Sequence, residues 1–171
     1  LGIPVEVVSL LHGHWQWQPN QQHIDIDMPD VSSTQQQAQK IIAPHDWGRE
    51  PTFLNCTAWQ NISPPLPHEK ILVLGSGEFS WIPFLIAEKL EQQGAEVYYS
   101  STTRSPIKQG HAVESICSFK DNYGLNINNY AYNVKHQQFD RVLLVIETAQ
   151  DSVDPLLFEQ IKNLEIISYE S

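Results

Sequence analysis

The sequence predicts an α/β fold: a Rossmann-like, three-layer domain with a mostly parallel sheet and an N-terminal extension packed on it. Three observations predict this. Ile71-Leu72-Val73-Leu74 and Val142-Leu143-Leu144-Val145-Ile146 are unbroken apolar runs, which suit strands buried on both faces of a sheet with helices on each side. The first run stops at a glycine turn, Gly75-Ser76-Gly77. A segment with helical spacing then leads directly to another strand-like run, Val97-Tyr98-Tyr99.

The stretch from Lys70 to Pro106 organises the chain. Two glycines at Gly75 and Gly77 let the backbone turn sharply and let a ligand approach without a Cβ in the way. Ile82, Leu85, Ile86 and Leu90 then follow the i, i+3, i+4, i+8 pattern of one helix face. Ser80 is the expected N-cap, Pro83 is tolerated in a first turn, and Gly94 is the expected stop. A strand-helix-strand unit of this length places its strands parallel, with a right-handed crossover. Both strands therefore end on the same edge. That edge brings Gly75 to Glu78 beside Ser100 to Ser105, where open α/β sheets bind ligands and where helix N-terminal amides favour an anion.

Residues 1–67 are read as an extension of the same domain, and residues 68–171 as its α/β core. In the extension Val5 to Leu11 reads as a strand and Ile24-Asp25-Ile26-Asp27-Met28 as a half-exposed edge strand. Ser32 to Gln39, rich in Ser and Gln, has the composition of a surface loop. Trp15, Trp17, Trp47 and Trp59 are expected to pack the extension on the sheet, and Pro64-Pro65 with Pro67 to act as a rigid spacer. Beyond the central unit, residues 111–133 show no clear periodicity. The second apolar run ends at Glu147-Thr148, after which Asp154-Pro155 opens a helix through Leu156, Leu157, Ile161 and Leu164, with Pro155 at its first position. Ile166 to Tyr169 is a last strand.

Composition narrows the function classes. A chain of 171 residues suits one domain, and no apolar run approaches the roughly twenty residues of a membrane span. Twenty acidic against ten basic residues give a formal charge of −10, which repels nucleic-acid backbones but leaves room for a small phosphate ligand. No nucleic-acid or membrane partner is expected. The two cysteines, Cys56 and Cys117, have no metal-ligand spacing, so a reducing cytoplasm is the default compartment. The chain starts at Leu1 without an initiator Met, and is read as a fragment or a processed chain.

Several groups at the sheet edge carry chemistry. Thr102, Thr103, Arg104 and Ser105 combine hydroxyls with a guanidinium at a strand's C-terminal end, the groups that hold a phosphate or carboxylate. The bland alternative is an ion pair of Arg104 with Glu78 or Glu147. Glu78, beside the glycines, is a candidate base or ribose ligand, and equally a first-turn acid favouring the helix dipole. Asp121 and Asn122 either reach the same edge or form an Asx-type turn. Glu147 emerges from a buried apolar strand onto the ligand edge, which favours use over decoration. If chemistry occurs, Glu78 or Glu147 is the base, with Arg104 and the turn amides holding charge.

Taken together, Gly75-x-x-Glu78-Phe79, Ser101-Thr102-Thr103-Arg104-Ser105-Pro106-Ile107, Phe119-x-Asp121-Asn122-Tyr123-Gly124 and Glu147-Thr148 resemble the TRSP domain, a bacterial family named for its Thr-Arg-Ser-Pro signature. The resemblance covers roughly residues 68–160. It departs from the family's pattern at Gly77, before Glu78, and at Leu125-Asn126. It implies a domain C-terminal to a phosphoribosyltransferase domain, in gene clusters linked to tellurite resistance and stress response. The phosphoribosyltransferase domain is then the expected partner, upstream in the same chain or associated.

Three functions follow from these readings. The first is an accessory domain that binds a phosphoribosyl or nucleotide-like metabolite through Gly75, Ser76, Gly77, Thr102, Thr103, Arg104, Ser105, Asp121 and Asn122, with Glu78 and Glu147 as candidate catalytic groups. The second is a non-catalytic docking module for the transferase domain. The third is an adenosylmethionine-dependent methyltransferase, since a glycine turn after a first strand also suits that ligand. No resident cofactor is expected. Ser80 replaces the third glycine of a dinucleotide fingerprint, and Ser100 to Thr103 offers no acid for a ribose 2′-hydroxyl. No metal is expected either, because His12 and His14 have no third ligand at a recognisable spacing. Asn55-Cys56-Thr57 matches a glycosylation sequon and is read as chance in a cytoplasmic protein.

Overall fold

A computed structural model describes residues 13, 14, 16, 18, 57–134 and 138–169. Four parallel strands form its centre: β1 (Lys70–Gly75), β2 (Glu96–Ser101), β5 (Arg141–Ile146) and β6 (Leu164–Ser168), in the order β2-β1-β5-β6. Between β2 and β5 the chain forms a separate antiparallel pair, β3 (Ile116–Lys120) and β4 (Asn128–Tyr132). Helix α1 (Trp81–Gln92) joins β1 to β2, and a single-turn helix α2 (Leu156–Gln160) lies between β5 and β6. The fold is mixed α/β, as the apolar runs predict. Among the described residues no helix is long and apolar enough to cross a membrane.

The two central strands are buried on both sides, and alternate residues serve different layers. Ile71, Val73, Leu143 and Val145 meet Ile82, Ile86 and Leu90 of α1, together with Phe79 and Tyr169. Leu72, Leu74, Val142, Leu144 and Ile146 face the other way, onto Cys117, Phe119 and Ala131 of the antiparallel pair and Leu157 beside them. Helices on each side are therefore replaced, on this second face, by a β-hairpin and one helical turn. The strand β3 explains why: Cys117 and Phe119 are buried while Ser118 and Lys120 are exposed, a period of two that fits a half-covered strand.

Helix α2 is much shorter than Leu156, Leu157, Ile161 and Leu164 imply. Pro155 sits just before the helix, not within it. Asp154 uses one carboxylate oxygen to accept from Leu156 N (3.0 Å) and the other to accept from Lys120 N (2.7 Å), so it ties the turn to β3. Asn163 then adopts a positive φ of 54° and turns the chain into β6, which starts at Leu164. The final strand thus begins two residues early and ends before Tyr169. Ser80 precedes α1 as expected, yet its side chain makes no capping hydrogen bond. Gly94, at φ 99°, does reverse the chain after α1.

At the opposite end of the sheet from the glycine turn, Arg141 is buried. Both terminal guanidinium nitrogens donate to Ser63 O at 3.2 Å, and Nε lies 3.4 Å from Glu69 Oε1. This holds the proline-rich spacer against the start of β5. The 3-10 helix Thr57–Asn61 leads into it; Trp59 lies under Lys89 Nζ at 4.0 Å and packs, with Ile62, on the α1 side of the core. The strands read at Val5 to Leu11 and Ile24 to Met28, the loop at Ser32 to Gln39, and Trp15, Trp17, Trp47, His12, Asn55 and Cys56 lie outside the described residues. His14 is exposed.

Candidate functional site

Strand register sets the site. Gly75 pairs with Ser101 on one side and Val145 on the other, so the ends of β2, β1 and β5 lie side by side. The glycine turn, the Thr-Thr-Arg-Ser loop and Glu147 leave the sheet together. The edge expected from the strand order is the edge observed.

Gly75 has a reason distinct from ligand access. A Cβ there would stand 2.6 Å from Phe79 O and 3.3 Å from Pro83 Cγ, because the turn folds back over the strand end. Phe79 N donates to Ser76 O at 3.0 Å and closes that fold. Gly77 differs: its φ of 59° is left-handed, while its Cβ position has only Tyr123 at 3.9 Å. One glycine answers to space and the other to backbone angle.

Thr102 fastens β2 to the turn. Its amide donates to Gly75 O at 2.9 Å, and its Oγ1 accepts from Gly77 N at 2.9 Å. That turn amide points at a protein hydroxyl, so it is already engaged within the fold. Ser76, Thr102 and Asn122 are all buried. Ser76 Oγ donates to Asn122 Oδ1 (2.6 Å), and Asn122 Nδ2 donates to Thr148 Oγ1 (2.7 Å). Thr148 lies 2.8 Å from Ser152 Oγ, which itself donates to Ala149 O at 2.6 Å. With that proton committed, Thr148 is the donor to Ser152. The result is a directional chain of hydrogen bonds beneath the rim, buried from Ser76 to Thr148 and part-buried at Ser152, from the β1 turn to the residues after β5.

Asp121 is occupied as a turn carboxylate. Oδ2 accepts from Tyr123 N (2.9 Å) and Leu125 N (3.0 Å), and Oδ1 accepts from Ile127 N (2.7 Å). The Asx-type alternative describes its contacts, and those bonds shape the loop that carries Tyr123. The phenol of Tyr123 lies 3.1 Å from Ser76 O and 3.0 Å from Glu147 Oε1, one O–H shared between two acceptors. Burial pushes the Tyr123 phenol well above its ordinary value, the Glu147 carboxylate adds to the rise, and the Arg104 charge pulls it back. Arg104, Ser105 and Glu78 are exposed, and Thr103 and Glu147 are half-buried.

The structure brings together Gly75, Ser76, Gly77, Thr102 and Asn122 through direct hydrogen bonds and Glu147 through the Tyr123 hydroxyl, while Arg104 stands exposed on the loop that follows Thr102. Glu78 follows on the same turn. Tyr123, Thr148 and Ser152 are the residues that sequence reasoning missed as site members. Tyr123 and Thr148 adjoin Asn122 and Glu147 in the sequence; Ser152 gave no signal of its own. Among the described residues, no group of three or more His, Cys, Asp or Glu could hold a metal ion.

A parallel sheet with charged and hydroxyl side chains gathered at the carboxyl ends of its strands defines an α/β domain with one polar rim. The chain belongs to the TRSP family: a model described as "TRSP domain C terminus to PRTase_2" matches residues 55–161. Comparison with curated proteins and with solved structures found no significant match.

The two glycines separate by substitution. Gly75→Ala forces a Cβ against backbone and is expected to cost about 3 kcal/mol, whereas Gly77→Ala strains only φ and costs about 1 kcal/mol. Urea denaturation should also show Gly77→Asn less damaging than Gly77→Ala, since Asn tolerates the left-handed region. The raised Tyr123 phenol makes stability pH-dependent. Its ordinary value is 10.0, so the unfolded chain releases this proton before the native state does. The contribution is complete below that value and is lost as pH rises through the higher native one. Between about pH 9 and about pH 11 the urea midpoint of the unsubstituted chain should fall more steeply than that of Tyr123→Phe.

Proposed function

We propose that this domain is an accessory domain of a phosphoribosyltransferase-type protein and binds a phosphoribosyl or nucleotide-like metabolite at the C-terminal edge of its sheet. One observation carries the reading: the ends of β2, β1 and β5 lie side by side, so the Thr103-Arg104-Ser105 loop, the glycine turn with Glu78, and Glu147 leave the sheet at one edge. An exposed guanidinium fork suits phosphate oxygens, and carboxylates beside it suit ribose hydroxyls. Arg104, Thr103 and Ser105 are the ligand's phosphate contacts in this reading. Gly75, Ser76, Gly77, Thr102, Asp121 and Asn122 hold the rim from beneath. Glu147 and Glu78 contact hydroxyls, and either serves as base if the bound metabolite is transformed. The family description supports the partner, a phosphoribosyltransferase domain.

The finer parts of the reading go with it. Residues 1–67 extend the same domain and 68–171 form its Rossmann-like core, a division supported by Trp59 and Ile62 packing on the α1 side. The working context is cytoplasmic nucleoside metabolism associated with stress and tellurite resistance. A second reading, docking without chemistry, is favoured by a specific surface on the α1 side of β2, where Phe84 and Tyr99 are exposed and in edge-to-face contact at 5.7 Å.

A thermal-shift screen with phosphoribosyl pyrophosphate, nucleotides and adenosylmethionine separates the readings. A ligand at a hundred times its Kd adds about 2.7 kcal/mol to stability, a rise of several degrees in the midpoint. Phosphoribosyl pyrophosphate or a nucleotide should produce it, and Arg104→Ala should reduce it sharply while leaving the unliganded midpoint within about a degree or two. A shift with adenosylmethionine alone would favour the methyltransferase. No shift with any ligand, together with loss of transferase-domain association on Tyr99→Ala, would establish docking instead.

A further inference from the structure

Arg104 stands on an exposed loop, where a long cationic side chain ordinarily samples many positions. Here the backbone on both sides of it is bonded to β4. Before it, Thr103 and Tyr130 exchange two backbone hydrogen bonds, Thr103 N to Tyr130 O at 3.0 Å and Tyr130 N to Thr103 O at 2.8 Å. After it, one phenol does the work of a strand partner: Tyr132 Oη donates to Ser105 O at 2.6 Å and accepts from Ile107 N at 2.7 Å. Ser105 N also donates to Thr103 Oγ1 at 3.1 Å, which tightens the turn across Arg104. The Tyr130 and Tyr132 rings lie 6.1 Å apart and nearly parallel, so the phenol is itself held.

A hydroxyl is one of few side-chain groups able to donate to a carbonyl and accept from an amide two residues on. Phenylalanine would keep the ring contact and lose both bonds. We propose that Tyr132 is the positioning residue of the rim, fixing the Ser105-to-Ile107 backbone so that Arg104 is presented to a phosphate-bearing ligand with its loop already ordered. The entropy of ordering that loop is then met in folding and not at binding. This inference rests on the ligand reading above and adds to it the hairpin's role: β4 spans one face of the sheet and also locks the anion-binding loop.

The test uses the whole chain, Tyr132→Phe, Arg104→Ala and the double substitution. Amide exchange followed by NMR should show Ile107 exchanging about tenfold faster in Tyr132→Phe, with amides of β1 and β5 unchanged. Calorimetric titration with phosphoribosyl pyrophosphate should show affinity about tenfold weaker in Tyr132→Phe. In the Arg104→Ala background the same change should add almost nothing, because the hydroxyl acts through the guanidinium. A purely structural role would weaken binding equally in both backgrounds and would overturn the proposal. Unaltered Ile107 exchange, or faster exchange with full affinity, would also overturn it while leaving the ligand reading intact. Failure of the unsubstituted chain to bind phosphoribosyl pyrophosphate would remove both.

Discussion

The structure depends on a pair of hydrogen bonds by which Thr102 closes the top of the sheet. Its amide bonds to Gly75 O and its hydroxyl takes the Gly77 amide, so the last residue of β1, the turn beyond it and the loop after β2 become one piece. The closure needs Gly75, since a side chain there would strike Phe79 O. It also needs Gly77, whose backbone angle points the amide at Thr102. From this joint the Thr-Arg-Ser-Pro loop departs in a fixed direction.

Beneath the joint, polar groups are buried in pairs. Ser76, Asn122, Thr148 and Ser152 pass hydrogen bonds in one direction, and Asp121 satisfies three amides of its own loop. Buried polar groups are tolerated when each finds a partner, and a network of this kind fixes one arrangement of the loops above it. In the proposed reading the ligand contacts fall to the groups above: Arg104, Glu78 and Glu147. Tyr123 stands between the two layers, its hydroxyl touching both the turn carbonyl and the Glu147 carboxylate.

Much of this was legible in the sequence where a local rule applied. Ile71 to Leu74 and Val142 to Ile146 are apolar at every position because both faces of β1 and β5 are covered, and the glycine turn and Gly94 mark the ends of elements that need positive φ or close approach. The helix after Asp154 is shorter than the spacing of Leu156, Leu157, Ile161 and Leu164 implies, because that helical period runs on past α2 into the next strand. Leu157 and Ile161 are buried beneath α2, while Leu164 belongs to the next strand. The antiparallel pair escaped because β4, Asn128-Asn129-Tyr130-Ala131-Tyr132, has the composition of a loop. It is a strand through its pairing with β3 and through packing of Ala131 on the sheet, contacts distant in sequence. At the site, residue types announced the rim, but not which hydroxyls face outward. Whether Asp121 meets a ligand or three amides is a matter of tertiary geometry that its neighbours in the chain do not encode.

The central claim is that one rim, bounded by Gly77, Arg104 and Glu147, receives an anionic ribose-type ligand. Mapping amide chemical shifts during titration with phosphoribosyl pyrophosphate tests it most directly. The account predicts saturable changes at Gly77, Glu78, Thr103, Arg104 and Thr148, with Tyr98 and Asn163 unmoved. Changes centred on Phe84 and Tyr99, or none at any residue of the rim, would contradict it.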